Sequence, residues 1–67
     1  MPIRNTVREQ RKKQGLTQAE LADKVQVSRQ TIISMEKGSY VPSLELALDL
    51  AVVFDLKIED LFEKRGN

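Results

Sequence analysis

The chain has 67 residues and a formal net charge of +1, with no cysteine and no histidine. So short a chain is expected to form a single domain over residues 1–67, burying only about 60% of the surface its unfolded form exposes. Without thiols or imidazoles it has no disulfide framework and no usual zinc site, and with no catalytic constellation or phosphate-cradling loop in view, neither an enzyme nor a cofactor or metal is expected.

No apolar run approaches a membrane span, and the opening MPIRNTVREQ lacks the apolar core of a signal peptide, so a cytoplasmic protein is expected. The small net charge hides a division. Residues 1–40 hold eight Lys and Arg against four acidic groups, whereas residues 41–67 hold three against six. Positive charge thus gathers where a phosphate-facing surface would need it.

In chain order, Pro2 discourages helix in the lead and Ile3 is a candidate anchor. Asn5 is a candidate N-cap for a helix over 6–14, which Gly15 stops. Arg8, Arg11, Lys12 and Lys13 make that helix basic, and Val7 and Leu16 are its apolar contacts. Thr17 and Glu20 form a Thr-x-x-Glu capping box for a helix over 18–24, whose apolar side is Leu21, Ala22 and Val25. Gln18 sits in its first turn, beside free backbone N–H groups, where phosphate binds readily.

Ser28 caps a helix over 28–37, with Thr31, Ile32 and Met35 inward and Gly38 as a left-handed C-cap. Two capped helices joined by so short a turn pack at a steep angle, in a helix-turn-helix. Arg29, Gln30 and Ser34 then share the outward side of the second helix. Arg pairs with guanine, Gln with adenine, and Ser with either. Ile33 projects outward beside them, as a contact to a thymine methyl or as a scattered surface apolar group.

Ser39 to Val41 form a loop before Pro42, and Ser43 caps a helix over 44–54. Only Glu45 and Asp49 interrupt its apolar run, so it is expected to be the core's central beam, buried on most sides. After a turn at 55–57, in which Lys57 is a poor cap, a helix over 58–63 offers Ile58, Leu61 and Phe62. Lys64 to Asn67 is read as a polar tail. The expected fold is all-α, a bundle of five helices.

The strings GLTQ-x-x-LA, VSRQTI and EKGSYVPSL resemble the lambda repressor and Cro type of helix-turn-helix protein, the Xre family, over roughly Val7 to Phe62. The resemblance implies a lambda-repressor-like bundle and a sequence-specific regulator of transcription, a repressor, that reads the major groove of double-stranded DNA. It matches Arg11 and Glu36 to a structural ion pair tying the first helix to the third. Lys37, Ser39 and the backbone at Tyr40 match a phosphate-clamping loop. Gln18 matches a residue that contacts the DNA backbone and props the first base reader. Two residues depart from the family: Gln10, where an apolar residue is usual, and Gln26, where Gly is usual. A buried Gln10 needs partners, so it is expected to pack less deeply or at an edge. Gln26 in a left-handed turn would carry strain on the order of 1 kcal/mol.

Together these readings assign base contacts to Arg29, Gln30 and Ser34, and phosphate contacts to Thr17, Gln18, Ser28, Thr31, Lys37 and Ser39. One such module spans too few base pairs to be selective in a genome. A homodimer on a palindromic operator, with half-sites about 34 Å apart, is therefore expected. Its seam is expected among Phe54, Leu56 and Phe62, or in the N-terminal lead. The alternative is an antitoxin or other protein-interaction module on the same fold. No membrane or small-molecule partner is expected.

Overall fold

Three hydroxyl side chains set where helices begin in the computed structural model, which describes residues 3–64. Thr17 Oγ1 accepts the Glu20 N–H at 3.0 Å, and Glu20 Oε1 accepts the Thr17 N–H at 2.8 Å, closing the capping box at the start of α2 (Gln18–Val25). Ser28 Oγ accepts the Thr31 N–H at 3.2 Å ahead of α3 (Arg29–Lys37). Ser43 Oγ accepts the Leu46 N–H at 3.1 Å ahead of α4 (Leu44–Phe54). Each satisfies a backbone donor that the first helical turn cannot. The remaining helices are α1 (Val7–Lys13) and α5 (Ile58–Leu61).

The core is assembled from every helix. Val7 of α1, Leu21 and Val25 of α2, Ile32 and Met35 of α3, Leu50 and Phe54 of α4, and Leu61 of α5 are buried together. Helices α2 and α3 pack on each other across the turn at Gln26. Gln26 adopts the left-handed conformation (φ 59°, ψ 45°), so the geometry usually given to Gly is imposed on Gln. Gln10 is half-buried, at the edge of the core.

The expectation of a strictly all-α chain is corrected. Strand β1 (Ile3–Asn5) pairs antiparallel with β2 (Phe62–Lys64), in the register Ile3 to Lys64, Arg4 to Glu63 and Asn5 to Phe62. This shortens the last helix from 58–63 to Ile58–Leu61 and takes Lys64 out of the supposed tail. Phe62 leaves the helix in extended geometry (φ −127°, ψ 135°), since β-pairing satisfies its backbone and its ring still packs on the core. The expectations for Pro2 and for residues after Lys64 lie outside the described residues.

Asn5 is not the residue bounding α1; Thr6 is. The Asn5 side chain nevertheless serves two helices. Its Oδ1 accepts the Val7 N–H at 3.1 Å, and its Nδ2 donates to the Met35 carbonyl at 3.0 Å. Thr6 completes the junction, with its N–H donating to the Leu61 carbonyl at 2.9 Å and its Oγ1 to the Asp60 carbonyl at 3.1 Å. The β1 end of the chain is thereby fastened to both α3 and α5.

Helix α4 also departs from expectation. It buries Leu46, Ala47, Leu50, Ala51 and Phe54 but exposes Leu44, Leu48 and Val52. Phe54 is buried, and Leu56 and Phe62 pack against the core, so these three do not form the exposed seam assigned to them. At its end Asp55 is left-handed (φ 56°), a conformation that short polar side chains tolerate better than most. Among the described residues no helix is long and apolar enough to cross a membrane.

Candidate nucleic-acid interface

Helix α3 presents its outward face because its inward face is held at both ends. Ile32 and Met35 are fully buried, Ser28 caps the start, and Gly38 ends the helix in the left-handed conformation (φ 84°). Spacing of about 100° per residue then puts Gln30, Ile33, Ser34 and Lys37 on the opposite side, with Arg29 at its edge. Arg29, Gln30 and Lys37 are exposed; Ile33 is half-buried.

Ser34 is half-buried. It accepts a 3.2 Å hydrogen bond at Oγ from Gln30 Nε2, and its carbonyl accepts from both the Ser39 N–H (3.0 Å) and the Ser39 hydroxyl (3.2 Å). Ser39 thus closes the C-terminal end of α3 with both of its donors. Ser28 Oγ and Thr31 Oγ1 stand 3.0 Å apart and bond to each other. Thr17 is spent on its capping box, which leaves the first-turn N–H groups of Gln18 and Ala19 without intrahelical acceptors.

The tilt of α3 against α1 is set by charge. Arg11 Nε lies 2.7 Å from Glu36 Oε2, and its Nη2 donates to Glu36 Oε1 at 3.2 Å, while Nη1 donates to the Leu16 carbonyl at 2.8 Å. The two side chains are only 11% and 5% exposed, so water does little to screen them. Gln18 Nε2 adds a bond to Glu36 Oε1 at 3.2 Å, linking α2 to the same carboxylate. In the free protein Gln18 therefore turns to Glu36, not to Arg29, the first base-reading candidate.

Arg8 joins the site although the sequence pattern did not single it out for DNA contact. It is exposed and lines the same shallow cleft as Gln18, Ile33 and Lys37, where α1, α2 and α3 meet. Its spacing three residues before Arg11, on one face of α1, is the signal that could have marked it. Glu20 has its carboxyl pushed below the ordinary glutamate range by the Thr17 backbone N–H, then by the Thr17 side chain.

A helix-turn-helix family model matches residues 7–61, which include all five helices and the whole of this cleft. The chain belongs to the helix-turn-helix family, of the Cro/C1 type. It is 57% identical over 60 residues to an uncharacterized HTH-type transcriptional regulator of Archaeoglobus fulgidus, covering 90% of this chain and 86% of that one. It is 47% identical over 60 residues to the HTH-type regulator YgzD of Bacillus subtilis, covering 90% and 91%. Among solved structures it is similar to the SOS-response transcriptional repressor LexA of Eubacterium rectale, with a TM-score of 0.80 and 30% identity. That match covers 90% of this chain but only 64% of that one. The restriction-modification controller protein C.AhdI of Aeromonas hydrophila is matched with a TM-score of 0.74 and 31% identity, over 81% and 82%. Family membership makes the protein a helix-turn-helix regulator of transcription, a non-enzymatic kind of protein.

Proposed function

We propose that the protein is a sequence-specific repressor that inserts the N-terminal turn of α3 into the major groove of double-stranded DNA. The observation carrying this is the exposure of Arg29 and Gln30, side by side in the first turn of a capped helix that is held rigidly from behind. Arg29 reads guanine and Gln30 reads adenine. One amide hydrogen of Gln30 is used on Ser34, leaving the other hydrogen and Oε1 for the two adenine contacts. Ser34 contributes chiefly by holding that amide, in addition to any base contact of its own.

Phosphates are held by Lys37 and Arg8 as charges and by the first-turn N–H groups at Gln18. Thr17, Ser28, Thr31 and Ser39 border them. Such contacts position the protein without carrying sequence information. The likeness to a transcriptional repressor supports repression, and the small size of the reading head supports a homodimer on a palindromic operator in the cytoplasm. Selection of bound duplexes from a random DNA pool tests this. A two-fold symmetric motif with half-sites one helical turn apart is expected, and a pool with no enriched sequence refutes it.

A further inference from the structure

Ile33 is an outward residue of α3 to which neither base reading nor phosphate holding assigns a partner. It stands one turn from Gln30 on one side and one turn from Lys37 on the other. It is half-buried, yet it is not among the apolar groups that pack on the core. Its neighbours are polar: Arg8 of α1, Gln18 of α2, Lys37 and the Arg11–Glu36 pair line the same cleft. A lone surface isoleucine needs no explanation. This one is framed by Arg8 and Lys37, the cations placed on phosphates, so a duplex docked on them closes the cleft over it.

We propose that Ile33 selects thymine, by contact with the methyl group at C5. The inference rests on the reading of α3 as the base-reading helix and adds an apolar contact to those of Arg29 and Gln30. In unmodified DNA the thymine methyl is the apolar feature of the major-groove code, and the other features are hydrogen-bond donors and acceptors.

Set against a donor or an acceptor, Ile33 strips water from it and supplies no bond, which costs affinity. Set against a methyl, both groups leave water, and each methyl so covered is worth about fourfold in affinity. Little freedom is lost on contact, because a β-branched side chain in a helix is already held close to one χ1 rotamer. The Arg11–Glu36 pair fixes the helix behind it. Were Ile33 merely a rest for the aliphatic stems of Arg8 and Lys37, its truncation would weaken all duplexes alike.

Deoxyuridine in place of thymine deletes that methyl and leaves the base pair intact, so a duplex selected by the unaltered protein supplies the test. Each thymine is replaced singly, and affinity is measured at fixed salt. The unaltered protein is expected to lose about fourfold at one thymine of each half-site. Ile33→Ala, with unchanged helical circular dichroism, is expected to bind the thymine and deoxyuridine duplexes equally there. Should Ile33→Ala fail to fold, Ile33→Gln, polar and a good helix former, takes its place with the same expectation. Indifference of the unaltered protein to every replacement overturns the contact; so does a methyl effect as large in the variant as in the unaltered protein. Both outcomes leave base reading by Arg29 and Gln30 standing. Failure of the unaltered protein to select any duplex refutes that reading, and this contact with it.

Discussion

Removing one member of the Arg11–Glu36 pair is the perturbation whose cost the geometry defines best. In Glu36→Ala the guanidinium keeps only the Leu16 carbonyl of its three bonds, and it stays in a site that leaves it 11% exposed. Breaking a buried pair from one side costs about 3–5 kcal/mol. A chain of this size has about 3–10 kcal/mol of stability in all, so the single variant stands near its unfolding point. In urea, with a slope of about 1 kcal/mol per molar, the midpoint should fall by about 3 M or more. Arg11→Met should cost a similar amount, because it leaves the Glu36 carboxylate with Gln18 alone. The informative variant is Arg11→Met/Glu36→Leu. With both charges gone no ion is stranded, and the double variant should be more stable than either single one. Urea unfolding followed by circular dichroism measures all four corners. Additive losses, or single losses below about 1 kcal/mol, would mean that the pair is a solvated surface contact.

Arg29→Ala should weaken binding to the selected operator by about 1–3 kcal/mol and relax preference at one base position, and equal loss on all duplexes would reduce Arg29 to a phosphate contact. Lys37→Ala should weaken binding evenly and lower the salt slope by about 0.9; an unchanged slope removes it from the footprint. Gln26→Gly should raise stability by about 0.5–1 kcal/mol, the relief of left-handed strain less the added freedom of glycine in the unfolded chain, and thermal melting that shows a loss refutes the strain. Glu20, with its lowered pKa, adds stability that is present above the ordinary glutamate range and lost as pH falls through the lowered value. The advantage of the unaltered protein over Glu20→Gln should therefore shrink on acidification, and an advantage constant with pH contradicts the capping role.

Residues whose roles depend on near neighbours were legible in the chain. Thr17 with Glu20, Ser28, Ser43 and Gly38 announce helix ends because each bonds within a few positions of itself. The strand pair was not legible, since Ile3 and Lys64 meet across nearly the whole sequence and three residues make no alternation to detect. Helix α4 misled because it is apolar on every side except that of Glu45 and Asp49. Periodicity cannot say which of Phe54 and Val52 faces inward when both are hydrophobic, and only packing against α2 and α5 decides it. Around α3 the outward residues followed from the helical repeat, but the partners of Gln18 and of the Asn5 amide did not. Those bonds join side chains to groups on other elements or to carbonyls that a sequence does not place.

The hydroxyls and amides ringing α3 already serve one another: Ser28 with Thr31, Gln30 with Ser34, Ser39 with the Ser34 carbonyl, Gln18 with Glu36. For Ser28, Thr31, Ser39 and Gln18, gripping a duplex means exchanging one partner for another, so the heat released at each is small, while Gln30 keeps Ser34 and adds its adenine contacts. The driving force left over is the liberation of small cations from the polyanion by the phosphate-holding Arg8 and Lys37, which is entropic. A titration calorimeter should accordingly register weak heats beside strong affinity at low salt, and the complex should come apart as sodium chloride is raised.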